Sequence, residues 1–191
     1  MPFDLNSTPV RAGIAAALLV LGLIVGWFGH KAASSPPDIP TVAVYDDWRL
    51  ACPQSSAKEA TCEIQQDVLD AKSHSELARM AIFKLKDVNT LIVTVPYNVL
   101  LEPGIGIGLG NDKPRIYPFE TCNGIGCVVR IAFDDDLAKA IGAAPQARIL
   151  FAGLDGKPVG LPFSLKGYKD ALAAFNSAEG KRRSWWRRLW S

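Results

Sequence analysis

The sequence predicts a mainly β domain, an antiparallel β-sandwich or barrel-like fold with one or two short helices, preceded by a single N-terminal transmembrane helix. Three observations carry that expectation. Short runs rich in β-branched and aromatic residues follow one another, punctuated by 16 Gly and 13 Pro in 191 residues. An uncharged apolar stretch lies near the N-terminus, and four cysteines fall as two close pairs further on. Hydrophobic residues make up 49% of the chain, enough for a packed core, and the length suits one domain plus an anchor and a tail.

Residues 1–11 read as a cytoplasmic N-terminus. Residues 12–29, AGIAAALLVLGLIVGWFG, carry no charge. As a helix they reach about 27 Å, close to the thickness of a hydrocarbon core. Arg11 stands before them, His30 and Lys31 after, and Trp27 sits where an interfacial aromatic belongs. The competing reading is a cleaved signal peptide, for which Ala32-Ala33-Ser34 offers small residues; His30-Lys31 would then intrude before the cleavage site. Arg11 and Lys31 nearly balance, so flanking charge does not orient the segment. The cysteines do, because oxidised pairs require the downstream domain to lie outside the cytoplasm. Residues 30–40 form a short Pro- and Ser-containing linker.

The body, residues 41–178, begins with a strand over Thr41–Ala51 that alternates around Val42, Val44 and Trp48. Strands follow over Thr61–Val68, Leu77–Leu85 and Thr90–Val95. In Gly104–Gly110 (GIGIGLG) period two puts Ile105, Ile107 and Leu109 on one face and glycines on the other. A turn, Asn111-Asp112-Lys113-Pro114, follows in place of a helix, and no Gly-Lys-Ser/Thr is present, which argues against a phosphate cradle. A strand packed closely on its glycine side accounts for the pattern better. Ile116–Phe119 and Gly126–Phe133 give two more strands. Asp134-Asp135-Asp136 caps a short helix that ends at Gly142; a Ca²⁺ loop would need a glycine and a distal glutamate that are missing. Arg148–Ala152 and Val159–Leu165 read as a hairpin around Asp155-Gly156, and Gly167–Ser177 as an amphipathic helix with Leu172 and Phe175 inward.

Four cysteines allow three pairings. Short loops favour Cys52 with Cys62 and Cys122 with Cys127, as disulfides in an oxidising compartment. The bland alternative is four reduced core thiols. A metal site is poorly supported, since His30 and His74 are the sole histidines and neither stands at ligand spacing. The same scarcity disfavours a hydrolase, because His74 sits in a polar turn-like stretch. Thiol–disulfide exchange is the stronger enzymatic rival. Cys122-Asn-Gly-Ile-Gly-Cys127 encloses four residues, however, and leads into a strand, so no helix dipole lowers a thiol pKa. No catalytic residue, metal or cofactor is expected.

The net charge of +2 divides unevenly. Residues 181–191 carry Lys181, Arg182, Arg183, Arg187 and Arg188 and no acid, leaving the rest of the chain at about −3. An acidic body argues against nucleic acid as a partner. Residues 179–191 read as a basic aromatic tail. On a helix Trp185, Trp186, Leu189 and Trp190 share a face, with Arg183, Arg187 and Arg188 away from it and Arg182 near the apolar arc. Indole rings and arginines together suit an anionic interface, so Arg182, Arg183, Trp185, Trp186, Arg187, Arg188 and Trp190 are candidate membrane-interface residues. A solvated terminus is the alternative.

Several landmarks then combine. Asp47-Trp48 precedes Cys52 and Cys62; Val95-Pro96-Tyr97-Asn98-Val99-Leu100-Leu101 runs into Pro103-Gly104-Ile105. Pro118-Phe119-Glu120-Thr121-Cys122 leads to Gly126-Cys127, and Leu161-Pro162-Phe163-Ser164-Leu165-Lys166-Gly167-Tyr168 stands before Ala171-Leu172. In order and spacing the chain resembles the invasion-associated locus B family of alphaproteobacteria over roughly residues 41–176. The resemblance implies an exported, mainly β envelope domain with no established active site, associated in some pathogens with entry into host cells. The apolar segment and the tail depart from a simple secreted member.

The expected function is a non-catalytic binding or scaffolding domain of the cell envelope, anchored in the inner membrane and facing the periplasm. Its expected partners are that membrane and an unknown envelope protein or anionic polymer. A periplasmic thiol–disulfide oxidoreductase and a secreted host-interaction factor released by signal cleavage are the alternatives.

Overall fold

The computed structural model describes residues 8–33, 40–54, 57 and 60–183. The chain divides into two units, Met1–Asp38 and Ile39–Ser191. In the first, α1 covers Thr8–Ala33. Its described side chains, residues 15–29, amount to about 22 Å of helix. Among the described residues no helix is long and apolar enough to cross a membrane.

Among its described residues the second unit holds eleven strands and two helices, all strand pairs antiparallel. Sheet one contains β1 (Thr41–Tyr45), β2 (Trp48–Cys52), β3 (Glu63–Leu69), β4 (Glu76–Leu85), β5 (Val88–Val95), β8 (Thr121–Asn123) and β9 (Gly126–Ala132), in the order β1-β2-β3-β4-β5-β9-β8. Sheet two contains β6 (Ile105–Leu109), β7 (Arg115–Tyr117), β10 (Ala147–Ala152) and β11 (Pro158–Phe163), in the order β11-β10-β6-β7. The core draws Ile64, Met80, Ile82, Leu91 and Val93 from sheet one and Ile105, Ile107 and Ile149 from sheet two. Each sheet keeps two edge strands, so the arrangement is two layers; the barrel-like alternative is set aside.

Helix α2 (Asp135–Ala143) starts where the acids predict it: Asp134 is its N-cap and accepts the Leu137 amide at 2.7 Å. It runs one residue past Gly142, its cap at Ala144 extended. Helix α3 (Tyr168–Arg183) packs on β1, β2 and β3, burying Tyr168, Ala171 and Phe175. Phe175 is inward as expected, while Leu172 is only half-buried.

Two differences have clear physical causes. The single strand expected over Thr41–Ala51 is a hairpin, β1–β2, turning at Asp46-Asp47 with Asp46 at φ 49°. Asp tolerates that left-handed backbone. A two-residue turn reverses the chain while apparent alternation continues, so Val42 and Val44 face away from Trp48 and Leu50. They are 63% and 70% exposed, against 1% for Trp48. The other difference lies in α3, which continues six residues beyond Ser177, through the tail boundary at 179. Hydrogen bonds that Glu179 and Arg182 make with the Cys52–Cys62 loop hold those extra turns.

On β6 the alternation acts as expected. Ile105 and Ile107 are buried in the core. A Cβ on Gly106 would stand 3.1 Å from Ile116 Cδ1, and one on Gly108 would stand 3.0 Å from Arg148 Cγ, so neighbouring side chains lie across the glycines.

Candidate functional site

The cysteines pair locally, Cys52 with Cys62 and Cys122 with Cys127. Cys122 and Cys127 are register partners on β8 and β9, so that bond staples two adjacent antiparallel strands. The other joins the end of β2 to the residue preceding β3. Neither disulfide opens a helix, the arrangement that activates a thiol in oxidoreductases.

Much of the polar chemistry in the body is spent on holding it together. Trp48 Nε1 donates to the Ser164 carbonyl at 3.0 Å, and its ring meets Tyr168 edge-on with centroids 5.3 Å apart. Buried Gln66 mimics a strand: its amide donates to the same carbonyl at 3.1 Å and accepts the Ser164 amide at 2.9 Å. Gly167 lies against the Tyr45 carbonyl; a Cβ there would stand 1.9 Å from the oxygen. Tyr168 donates to the Ala138 carbonyl at 3.1 Å, and burial pushes its phenol well above the usual range. The first and last of the motifs that carry the family resemblance, around Trp48 and around Ser164–Tyr168, thus lock the first hairpin to the segment entering α3.

The far end of α3 grips the Cys52–Cys62 loop. Glu179, 3% exposed, accepts the Cys62 amide at 2.6 Å through Oε1. Three residues on, Arg182 donates to the carbonyls of Pro53 (3.0 Å), Gln54 (3.3 Å), Ala57 (2.9 Å) and Ala60 (2.9 Å). Arg182, grouped by sequence with the interface residues, therefore has its donors on the protein's own backbone. Its odd placement on the helical wheel is the one sequence sign of that role. Arg183 ends α3; Trp185, Trp186, Arg187, Arg188 and Trp190 lie outside the described residues.

The outer face of sheet one carries a charged ladder. Asp67 accepts from Arg49 at 3.1 Å and from Arg79 at 2.7 Å, and Arg79 reaches Glu76 at 2.5 Å. Half-buried Glu63 sits beside it, its carboxyl pushed up by burial in spite of Arg79 and Arg49 nearby. His74, at φ 55°, belongs to a turn built on Asp70. Asp70 accepts the amides of Ser73 (2.7 Å) and Lys72 (3.0 Å) and the Ser73 hydroxyl (2.9 Å), which hold its carboxyl below the usual range. No group of three metal-ligating side chains occurs among the described residues. Two shallow clefts of about 320 and 370 Å³, beside Gly110–Lys113 and beside Tyr168, contain neither histidine nor cysteine in their walls.

What the fold does assemble is a cluster of loops at one end of the two layers. The β5–β6 connection pairs with the β10–β11 turn through a Val99–Gly153 bridge, and the Leu100 amide donates to the Ala152 carbonyl at 2.8 Å. The Tyr97 hydroxyl donates to the Asn123 carbonyl at the end of β8, beside the β8–β9 turn that the Cys122–Cys127 bond closes. Asn123 Oδ1 in turn accepts the Ile125 amide at 3.1 Å. Across these loops Tyr97, Leu101, Ile125 and Leu154 stand at least half exposed, Ile125 at 74%. Loops held by a rigid scaffold and tipped with apolar side chains suit recognition of another molecule. Sequence reasoning used Tyr97 and Leu101 only as landmarks of the family and passed over Ile125 and Leu154, because each falls in a turn or bend, where exposure is the ordinary expectation.

Comparison with known proteins bears on the family and the fold. The model of the invasion-associated locus B (IalB) protein family matches residues 48–176. Invasion protein B homologues from two strains of Brucella abortus are each 26% identical over 148 residues, covering 74% of this chain and 83% of theirs. The crystal structure of invasion-associated protein B from Bartonella henselae superposes with a TM-score of 0.63 at 19% identity, over 72% of this chain and 96% of that one, a likeness of fold. With more than half of its length matched by the family model and the same landmarks in order, the chain belongs to the invasion-associated locus B family.

Proposed function

We propose that this protein is a non-catalytic recognition domain of the bacterial cell envelope, held at the inner membrane by α1 with its β-domain in the periplasm. The observation that carries this reading is the loop cluster: Tyr97, Leu101, Ile125 and Leu154 exposed on loops tied by a disulfide and by hydrogen bonds. The partner is an envelope protein or an anionic envelope polymer that meets this end. Two disulfides favour an oxidising compartment. Leu18, Leu19, Leu21, Leu23, Ile24, Val25 and Phe28 are all exposed around α1, which suits an apolar solvent such as lipid. The basic aromatic tail is a second attachment point to anionic lipid. Because Arg182 grips the body, its deletion begins at residue 184.

Photo-crosslinking in cells from Ile125 and Leu154, with exposed Val88 at the opposite end of β5 as control, tests the recognition reading. A discrete adduct from the first two positions, lost when the other one is changed to Asp, is expected. Identical adducts from Val88, or none from either loop position, would overturn it. Flotation of the full chain with anionic vesicles, with and without residues 184–191, tests the tail; equal binding removes it.

A further inference from the structure

The two sheets present four edges, and three are blunted. β11 carries Pro158 and Pro162; β7 has three residues between Pro114 and Pro118; β8 has three residues, one of them disulfide-bonded. Such devices keep strand edges from pairing with other chains. β1 is bordered by proline at its start alone, by Pro40, and runs for five residues with neither a proline nor a disulfide within it. Thr41-Val42-Ala43-Val44-Tyr45 is uncharged, unbroken by proline and in regular register with β2. The hairpin closes on Tyr45 and Trp48, so Thr41, Ala43 and Tyr45 direct their backbone groups to β2. The amides and carbonyls of Val42 and Val44 therefore point to the open side, beside their exposed side chains.

We propose that β1 is a self-pairing edge, where two copies of this chain join antiparallel through Thr41–Tyr45 about a two-fold axis beside Ala43. The strand is self-complementary in that register. Val42 stands opposite Val44 of the second copy and exchanges both backbone hydrogen bonds with it, and Ala43 meets Ala43 as a non-bonded pair. The four outward-pointing groups on each chain are all satisfied. Val42 and Val44 of both copies meet on one face as β-branched cross-strand pairs, and no like charges oppose each other. An isologous contact of this kind closes after two copies, so it does not propagate into fibres.

The length of chain ahead of the strand favours a second copy over another partner. Residues 34–40 connect α1 to β1. Seven residues span up to about 24 Å. The two Thr41 positions in the paired strands lie roughly 14 Å apart, four steps of an antiparallel strand. Both copies can thus be tethered to one membrane while their edges meet. A five-residue edge is small beside a standard interface of about 1,600 Å². Tethering supplies the high effective concentration that a weak contact needs. The inference rests on the anchoring reading for its strength and on β1 alone for its geometry.

Cysteine pairing tests it. The native cysteines are all in disulfides, so introduced thiols report without competition. Full chain bearing Val42→Cys is mixed with full chain bearing Val44→Cys, reconstituted in vesicles and mildly oxidised. Both sites are well exposed, so the fold tolerates the changes. Opposed residues in a bonded pair lie about 5.5 Å apart at Cα, inside disulfide range; like positions lie about 8 Å apart on the diagonal, outside it. The mixture is expected to yield dimer at least five-fold above either variant alone. Equal yields, or no dimer, overturn the pairing. Vesicle flotation is scored in the same samples. If the chain does not float, the anchoring reading fails, and the same comparison in concentrated solution decides the pairing by the same criterion.

Discussion

Changing Glu179 to Ala removes one acceptor from a place where water cannot replace it. Its Oε1 takes the Cys62 amide at 2.6 Å, and both Glu179 (3% exposed) and Cys62 (0% exposed) are closed off from solvent. An unsatisfied buried donor costs about 1–3 kcal/mol. A domain of this size loses about 2–4 °C in Tm per kcal/mol, so a loss of about 2 kcal/mol lowers Tm by about 4–8 °C. Glu179→Gln keeps an acceptor oxygen at the same reach and should recover at least half of that. Thermal unfolding by circular dichroism, with both disulfides confirmed intact by mass spectrometry, makes the comparison. If Glu179→Ala unfolds within 1 °C of the parent, or Glu179→Gln is as damaging as Ala, the hydrogen bond does not hold α3 to the Cys52–Cys62 loop.

Three further outcomes follow from the same structure. Arg182→Lys cannot reach four carbonyls with one ammonium. It is expected to cost about 1–2 kcal/mol at net hydrogen-bond values and to speed proteolysis within residues 53–60, read by limited digestion; unchanged cutting would contradict the clamp. Gly167→Ala places a Cβ 1.9 Å from the Tyr45 carbonyl oxygen at φ +77°. With αL strain alone at about 1–2 kcal/mol, it should lower urea stability by more than an alanine at exposed Gly156, where no atom lies within 4 Å. Glu63→Gln tests a titration. Burial raises that carboxyl above its ordinary 4.5, so the folded state binds its proton more tightly than the unfolded chain. The associated stability is present below the unfolded value and is lost as pH rises through the folded one. The amide should therefore stabilise at pH 7, with the gain vanishing towards pH 4; equal gain at both pH values would refute the assignment.

Period-two patterning and turn chemistry revealed most of the strands, the acid-capped α2 and the start of α3. The turn at Lys86-Asp87 escaped notice because both residues take positive φ (47° and 71°) without the usual Asn-Gly. β8 escaped because three residues carry too little pattern, and only pairing with β9 makes them a strand. The candidate surface was least legible. Tyr97, Leu101, Ile125 and Leu154 are separated by up to 57 positions, and their loops are joined through the Val99–Gly153 and Tyr97–Asn123 contacts.

By itself the sequence determined what is local: alternation, capping, turn residues, close cysteine pairs and the ordered motifs of the family. These depend on steric preferences and spacing within a few residues, which a linear chain already contains. The tertiary structure decided which face of the β1–β2 hairpin is buried, how far α3 extends and what Arg182 does. Each of those depends on partners more than a hundred positions away: Ser164 for Trp48, Cys62 for Glu179, and the loop after Cys52 for Arg182. Hydrogen bonds and exclusion of water act through space, so such assignments exist only once the layers have closed.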